Sequence, residues 1–276
     1  NILLQNNVTL LNLESLINYL YPESKHFFLQ IFDSIDSTNS FLINLLKNKQ
    51  ISDNTDLIYV VAAELQTKGR GRNGRVWCSG FGESLTFSLS WSFKEYSVSQ
   101  LSSLSLVIGV AIIRVLKYFS IEGVSLKWPN DVLVNNLKIA GVLIELRSGI
   151  KKSCQTVIGI GINFNLSKDT RSCIDCGVTD LFEITGKLLD RNLILSSLLL
   201  EIKKTISNFE MFGFSYFKEE WICYHAYEGK RVFLKIPNDQ IVYGIVDGVN
   251  DNGSICLLTN SGRKMFAVGE ISLRDI

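Results

Sequence analysis

Residues 124–146 read VSLKWPNDVLVNNLKIAGVLIEL, and this stretch sets the architecture. Val124–Trp128 has strand composition and stops at Pro129, which fixes φ and lacks an N–H. Val132–Val134 and Lys138–Leu146 are apolar runs on either side of Asn135-Asn136. Asparagine tolerates left-handed backbone angles, so this pair suits a two-residue hairpin turn. Working outward, Phe27–Ile35, Leu57–Leu65 and Thr156–Phe164 also read as strands, the last with Gly159 and Gly161 inside it. Ser84–Phe93 alternates apolar and small polar residues, the pattern of a half-buried strand. Leucines and isoleucines from Leu10 to Leu20 recur at helical spacing, as they do over Leu101–Phe119 and Leu193–Phe209. Asp36–Asn39 supplies N-cap candidates ahead of Phe41, Leu42, Leu45 and Leu46, which share a helical face. From about Gly229 the chain turns to short strands, Arg231–Ile236, Gln240–Asp247, Ser254–Leu258 and Lys264–Val268, broken by Asn-, Asp- and Gly-rich turns. The pattern predicts an α+β domain with a small β-barrel appended.

The bulk properties narrow the function. The chain has 276 residues with 46% hydrophobic and 20% charged, enough apolar content to bury a substantial core. A net charge of +1 argues against a globally basic nucleic-acid binder, so any anion site is local. Of six cysteines, only Cys173 and Cys176 have CxxC spacing, and no second pair or nearby histidine completes a zinc site. Ordinary reduced thiols in a cytosolic protein are the expectation. Residues 1–20 lack a basic segment followed by an apolar core, so no signal peptide is expected. Leu101–Phe119 is interrupted by serines, Arg114 and Lys117, which predicts a buried helix rather than a membrane span.

The sharpest local feature is Gln66-Thr67-Lys68-Gly69-Arg70-Gly71-Arg72-Asn73-Gly74-Arg75. Its glycines let backbone N–H groups approach an anion, while Arg70, Arg72 and Arg75 add fork-shaped donors suited to phosphate or carboxylate. Taken alone it also reads as a solvated basic loop, or as an Arg-Gly segment for RNA, though repeats and interleaved aromatics are missing. It is not a Walker loop, because GxxxxGK[ST] is absent. A second cluster joins Lys127-Trp128-Pro129-Asn130-Asp131 to Lys138-Ile139-Ala140-Gly141. An Asp131 carboxylate at a turn suits Mg²⁺, whose ligands are oxygens, and Lys138 starts the return strand. Turn chemistry and a solvated lysine explain the same residues. Ser37-Thr38-Asn39 at a helix start, and Gly159-Ile160-Gly161-Ile162-Asn163 in a strand, are weaker signals of a polar ligand and of close approach.

The order of these pieces resembles the biotin–protein ligase family. Its members read a Ser-Thr-Asn helix start, a Gln before GRGRxGRxW, KWPND, KxAGxLxE and GxGxN. Ser37–Asn39, Gln66, Gly69–Trp77, Lys127–Asp131, Lys138–Glu145 and Gly159–Asn163 match in that order, and Gly269–Arg274 is similar to the family's ending. The resemblance covers residues 31–276. It implies a mixed-sheet catalytic domain, class II synthetase-like, at 31–228, an SH3-like barrel at 229–276 and a helical connector at 1–30. It implies ATP-dependent formation of biotinyl-5′-AMP and transfer to a lysine of a biotin carboxyl carrier protein.

Carried onto this chain, the resemblance implies catalytic roles for Lys138, Arg70 and Arg72, with Lys138 at the carboxylate and α-phosphate oxygens. Biotin would meet Ser37, Thr38, Asn39, Gln66, Gly69, Gly71, Gly141, Gly159 and Gly161 together with those three cations. The nucleotide would meet Arg72, Arg75, Trp77, Asn130, Lys138 and Asn163, and Asp131 would hold Mg²⁺. Trp77 would also pack to anchor the loop. A cytoplasmic enzyme without membrane attachment is implied, and a homodimer is open because relatives pair through sheet edges. DNA binding is not expected of the chain as it stands, since the helix-turn-helix domain of the repressor members is not in it. The nearest rivals are a lipoate-type protein ligase and a non-enzymatic biotinyl-AMP sensor.

Overall fold

The computed structural model describes residues 8–51, 57–148, 153–236, 240–267 and 272–275. Gly269–Ile271 of the family-like ending, the Pro237–Asp239 turn and residues 1–7 of the expected connector lie outside them. The elements in chain order are α1 (Leu13–Leu20), β1 (Phe27–Ile35), α2 (Thr38–Lys47), β2 (Ile58–Gln66), β3 (Ser84–Phe93), α3 (Leu104–Tyr118), β4 (Val124–Lys127), β5 (Asp131–Val134), β6 (Leu137–Ser148) and β7 (Cys154–Asn163). There follow α4 (Lys168–Ser172), α5 (Leu181–Thr185), α6 (Arg191–Phe212), α7 (Ser215–Cys223), β8 (Arg231–Lys235), β9 (Ile241–Val249), β10 (Ile255–Thr259), β11 (Gly262–Phe266) and β12 (Ser272–Asp275). They form two compact units interleaved in sequence, one of residues to Tyr96 with Leu137–Glu201, the other of Ser97–Asn136 with residues from Ile202.

In the first unit the strands run in the order β1-β2-β3-β7-β6. β1 and β2 are parallel because α2 crosses between them, while the β2–β3, β3–β7 and β7–β6 pairs are antiparallel. α2 lays Leu42 and Leu46 against Val61 and Val157, so its first turn stands over the sheet. Every residue of β7 is buried. β3 departs from the half-buried reading, since its hydroxyl row is buried as well. Thr86 donates to Ala63 O at 3.0 Å, Ser90 Oγ accepts from Tyr59 N–H at 3.3 Å, and Ser88 faces α2.

The segment before α1 is strapped down by buried polar groups. Leu11 N–H donates to Glu64 Oε1 at 2.6 Å, and Asn192 accepts from Asn12 N–H at 2.7 Å. Glu64 and Arg191, exposed by only 2% and 1%, form an ion pair at 2.5 Å, and Arg191 also donates to Ser84 O.

The second unit is built on α3. The stretch Val98–Tyr118 that contains it is long and apolar enough to cross a membrane, but most of it is buried inside the fold, the pattern of a core helix. Gly109 is required there, because a Cβ would stand 3.0 Å from Leu126 Cδ2. β4 and β5 pair as a hairpin from Val124↔Val134 to Lys127↔Asp131. Trp128 is buried and donates its indole N–H to Gly253 O at 3.0 Å. Asn135 and Asn136 have φ of +50° and +66°, the conformation that the turn reading requires. An antiparallel sheet, β11-β10-β9-β8-β12, closes the chain. The fold is therefore α+β, with a mixed sheet, helices and a separate C-terminal antiparallel sheet.

Candidate active site

Within the first unit, the end of β1 delivers the chain to α2 beside the end of β2, since Ile35 pairs with Gln66. Ser37 caps α2, its Oγ accepting from Ser40 N–H at 3.4 Å, and Ser37, Thr38 and Asn39 are each 3% exposed. Thr38 donates both its N–H, at 2.9 Å, and its hydroxyl, at 3.1 Å, to Gln66 Oε1. Ser88 Oγ lies 2.7 Å from Thr38 Oγ1 and 2.5 Å from Asn39 Oδ1. Each hydroxyl has a single proton, so this corner holds more acceptor oxygens than its own donors satisfy.

The sheet beneath carries three glycines side by side. Gly159 lies opposite Ser88 and Leu143, and Gly161 opposite Thr86 and Gly141, which puts the three glycines on one face. A Cβ on Gly159 would stand 2.2 Å from Asn39 Oδ1, and one on Gly161 would stand 2.5 Å from the Trp77 indole. Gly141 is bordered by Lys138 at 3.3 Å and Trp77 at 3.4 Å on the same measure.

The glycine–arginine segment closes on itself. Gly71 N–H donates to Arg75 O at 2.7 Å and Trp77 N–H to Gly69 O at 3.0 Å, around a turn with Asn73 at φ +55° and Gly74 at φ +74°. Gly69 is obligatory, because a Cβ would meet Trp77 O at 2.5 Å. This fold-back sets Trp77 on Gly161 and brings its ring under Lys138 Nζ, 5.8 Å from the centroid. The Trp77 indole N–H is buried and without a hydrogen-bond partner. Arg70, at the other side, pairs with Glu145 at 2.5 Å. Lys138 is fixed through its backbone, its N–H donating to Gly177 O at 2.9 Å and its O accepting from Thr179 N–H at 3.0 Å.

The comparisons with known proteins follow from this layout. The model of the biotin/lipoate A/B protein ligase family matches residues 31–163, and that of the biotin protein ligase C-terminal domain matches residues 228–274. The bifunctional ligase/repressor BirA of Salmonella typhimurium is 34% identical over 241 residues, which are 87% of this chain and 72% of the relative. The chain belongs to the biotin protein ligase family. The biotin–[acetyl-CoA-carboxylase] ligase of Mycobacterium tuberculosis is 28% identical, with 87% of each chain covered. The biotin protein ligase of Aquifex aeolicus, solved with biotin and ATP, is 32% identical with a TM-score of 0.74, covering 90% of this chain and 99% of that one.

For this biotin protein ligase, the first unit brings together Ser37, Thr38, Asn39, Gln66, Gly69, Arg70, Trp77, Lys138, Gly141, Gly159 and Gly161 through the contacts given above. Gly71, Arg72 and Arg75 sit in the turn of the same loop, with Gly71 and Arg72 half-buried and Arg75 exposed. Asn163 is 2% exposed and donates its amide to Lys138 O at 3.3 Å and Thr179 O at 3.0 Å, so it braces the backbone beside the lysine. Asn130 and Asp131 belong to the second unit, Asp131 opening β5 opposite Lys127. Sequence reasoning missed Ser88 and gave Glu145 no role. The signal for Ser88 was the hydroxyl row of β3, read as solvent-facing. Cys173 and Cys176 are exposed thiols, and among the described residues no three His, Cys, Asp or Glu side chains gather to hold a metal.

Proposed function

We propose that the glycine-floored face of the first unit is where this ligase activates biotin and passes it on. The biotin carboxylate attacks the α-phosphate of ATP, giving biotinyl-5′-AMP and pyrophosphate. A lysine amine of a biotin carboxyl carrier protein then attacks the acyl carbon, forming the amide and releasing AMP and a proton. Both steps gather negative charge on oxygens, which fixed cationic donors stabilise best. The observation that carries the reading is the convergence of residues remote in sequence: Trp77 lies on Gly161 with Lys138 Nζ over its ring, while Arg70 of the same loop reaches Glu145 on β6.

The proposed roles are supported by the family pattern together with position. The acceptor-rich corner of Thr38, Asn39, Gln66 and Ser88 takes the N–H groups of the ureido ring. Gly141, Gly159 and Gly161 let the flat bicycle lie close to the sheet beside Asn39 and Trp77, and Gly69 and Gly71 bring loop backbone close to it. Lys138 meets the carboxylate and α-phosphate oxygens, with Arg70 and Arg72 as clamps. Arg75, Trp77 and Asn163 belong to the nucleotide end, and for Asn130, in the second unit, the family pattern is what supports a nucleotide role. In the second unit, the family pattern supports Asp131 as the carboxylate that would hold Mg²⁺, an ion that would supply charge stabilisation to phosphates when bound. A single protein carboxylate fits an ion that takes most of its oxygens from phosphates and water. The C-terminal sheet, within residues 229–276, is read as an SH3-like barrel, and the enzyme as cytoplasmic.

The test is pyrophosphate release from biotin and ATP, followed by labelling of a carrier domain. Release that requires biotin and is not supported by lipoate is expected. No release would leave a biotinyl-AMP sensor, and preference for lipoate would move the chain to the rival ligase class.

A further inference from the structure

Glu145, on β6, is tied to both halves of the site through one atom. Its Oε2 accepts from Asn39 Nδ2 at 2.9 Å and from the Arg70 guanidinium at 2.5 Å. Asn39 has little freedom besides: Nδ2 also reaches Leu143 O at 3.3 Å, Oδ1 meets Ser88, and Gly159 leaves it no more room than it uses. Arg70 stands on the loop that folds back over the glycine floor, so Glu145 is where the loop is fastened to the sheet. The Arg70 and Glu145 side chains are 41% and 28% exposed. An ion pair as open as that does little to hold a fold together, so its geometry matters more than its contribution to stability.

We infer that Glu145 is a positioning residue, which sets the Asn39 amide at the ring-binding corner and the Arg70 guanidinium at the reacting oxygens from a single carboxylate oxygen. The inference rests on the ligase reading above. Guanidinium is a planar fork, so fixing one nitrogen on Glu145 directs its remaining donors along a defined line. A carboxylate delivered by the substrate then meets donors already oriented, without reorganisation at the moment of reaction. Glutamine at 145 keeps an acceptor for Asn39 but removes the charge that orients Arg70. Aspartate keeps the charge on a shorter arm that cannot span both partners.

The experiment measures initial rates over a range of biotin concentrations for the unaltered chain, Glu145→Gln, Glu145→Asp, Arg70→Met and the Glu145→Gln/Arg70→Met pair, with thermal midpoints for each. Glu145→Gln and Glu145→Asp are expected to lower kcat/KM for biotin by about tenfold, with kcat falling as well, while the midpoint changes little. The double variant is expected to lose no more than Arg70→Met alone, since the carboxylate acts through that side chain. Multiplicative losses, or a lowered midpoint with unchanged kcat and kcat/KM, would overturn the positioning role. Failure of the unaltered chain to release pyrophosphate would instead overturn the ligase reading, and this role with it.

Discussion

Asn39 Oδ1 lies 2.2 Å from where a Cβ on Gly159 would stand, so the helix start and the strand are in contact only because that residue is glycine. A Gly159→Ala substitution must push Asn39 off Ser88 and Glu145. Overpacking of about 1–3 kcal/mol makes a rise of about 5–150-fold in the biotin KM the expected result. Steady-state kinetics decide it, and a KM within about twofold of the unaltered chain would contradict the arrangement.

Lys138 is held by its backbone between Gly177 and Thr179, an anchorage that β6 keeps when the side chain is cut back. Lys138→Ala is therefore expected to fold normally and to lower the rate of pyrophosphate release by about 10²–10³-fold, the scale of a lost oxyanion donor. Activity within tenfold, at normal thermal stability, would remove the lysine from the chemistry.

The mixed anhydride has to be kept from water and from stray amines until the acceptor arrives. Arg72 sits in the turn of the loop that closes over the floor, and Arg72→Gly is expected to release biotinyl-AMP. The readout is labelling of bystander lysines in a mixture with an unrelated protein. Labelling confined to the carrier domain would clear Arg72 of the clamp role.

Glu64 and Arg191 are buried together, and the first also holds the Leu11 N–H. Removing one partner leaves a charge in the interior, so Arg191→Met is expected to lower unfolding stability by about 3–5 kcal/mol. Chemical denaturation should show Glu64→Gln/Arg191→Met losing less than the sum of the single changes. Full additivity would mean that the pair is not coupled.

Burial holds the pKa of His225 below the ordinary histidine value of 6.5, and hydrogen bonding to Glu228 offsets this only in part. The unfolded chain takes up its proton near 6.5 and the folded chain at lower pH, so between those values the unfolded state binds more protons. Stability is then expected to decline as pH falls below about 6.5 and to level off below the folded pKa. The ring lies tilted against Trp221, with centroids 4.5 Å apart. His225→Phe keeps a ring there and should flatten the thermal midpoint over that pH range. An unchanged slope would assign the acid sensitivity elsewhere.

Much of this was legible in the residues. Phe27–Ile35 and Ser84–Phe93 have the bounds read from composition, and Ser37 caps its helix as the Asp36–Asn39 run suggested. What failed was inference about which face meets water. The β3 hydroxyls alternate like a solvent-facing row, yet they line a polar interior whose partners come from α2 and β2, far away in sequence. α7 was also missed, because SYFKEEWIC is rich in aromatic and β-branched residues and its helix is held by burial of Phe217 and Trp221 rather than by propensity. Glu145 could be quoted as part of a motif, but its role depends on two donors that only the fold brings to it.

The glycine floor has an evolutionary corollary. A position that is already glycine can be changed in only one direction, toward more bulk, so on the reading proposed above single mutations at 141, 159 or 161 narrow the acyl groups accepted. Tolerance for a larger substrate has to arise where there is mass to remove, and Trp77, lying directly on that surface, is the first residue whose trimming would open it.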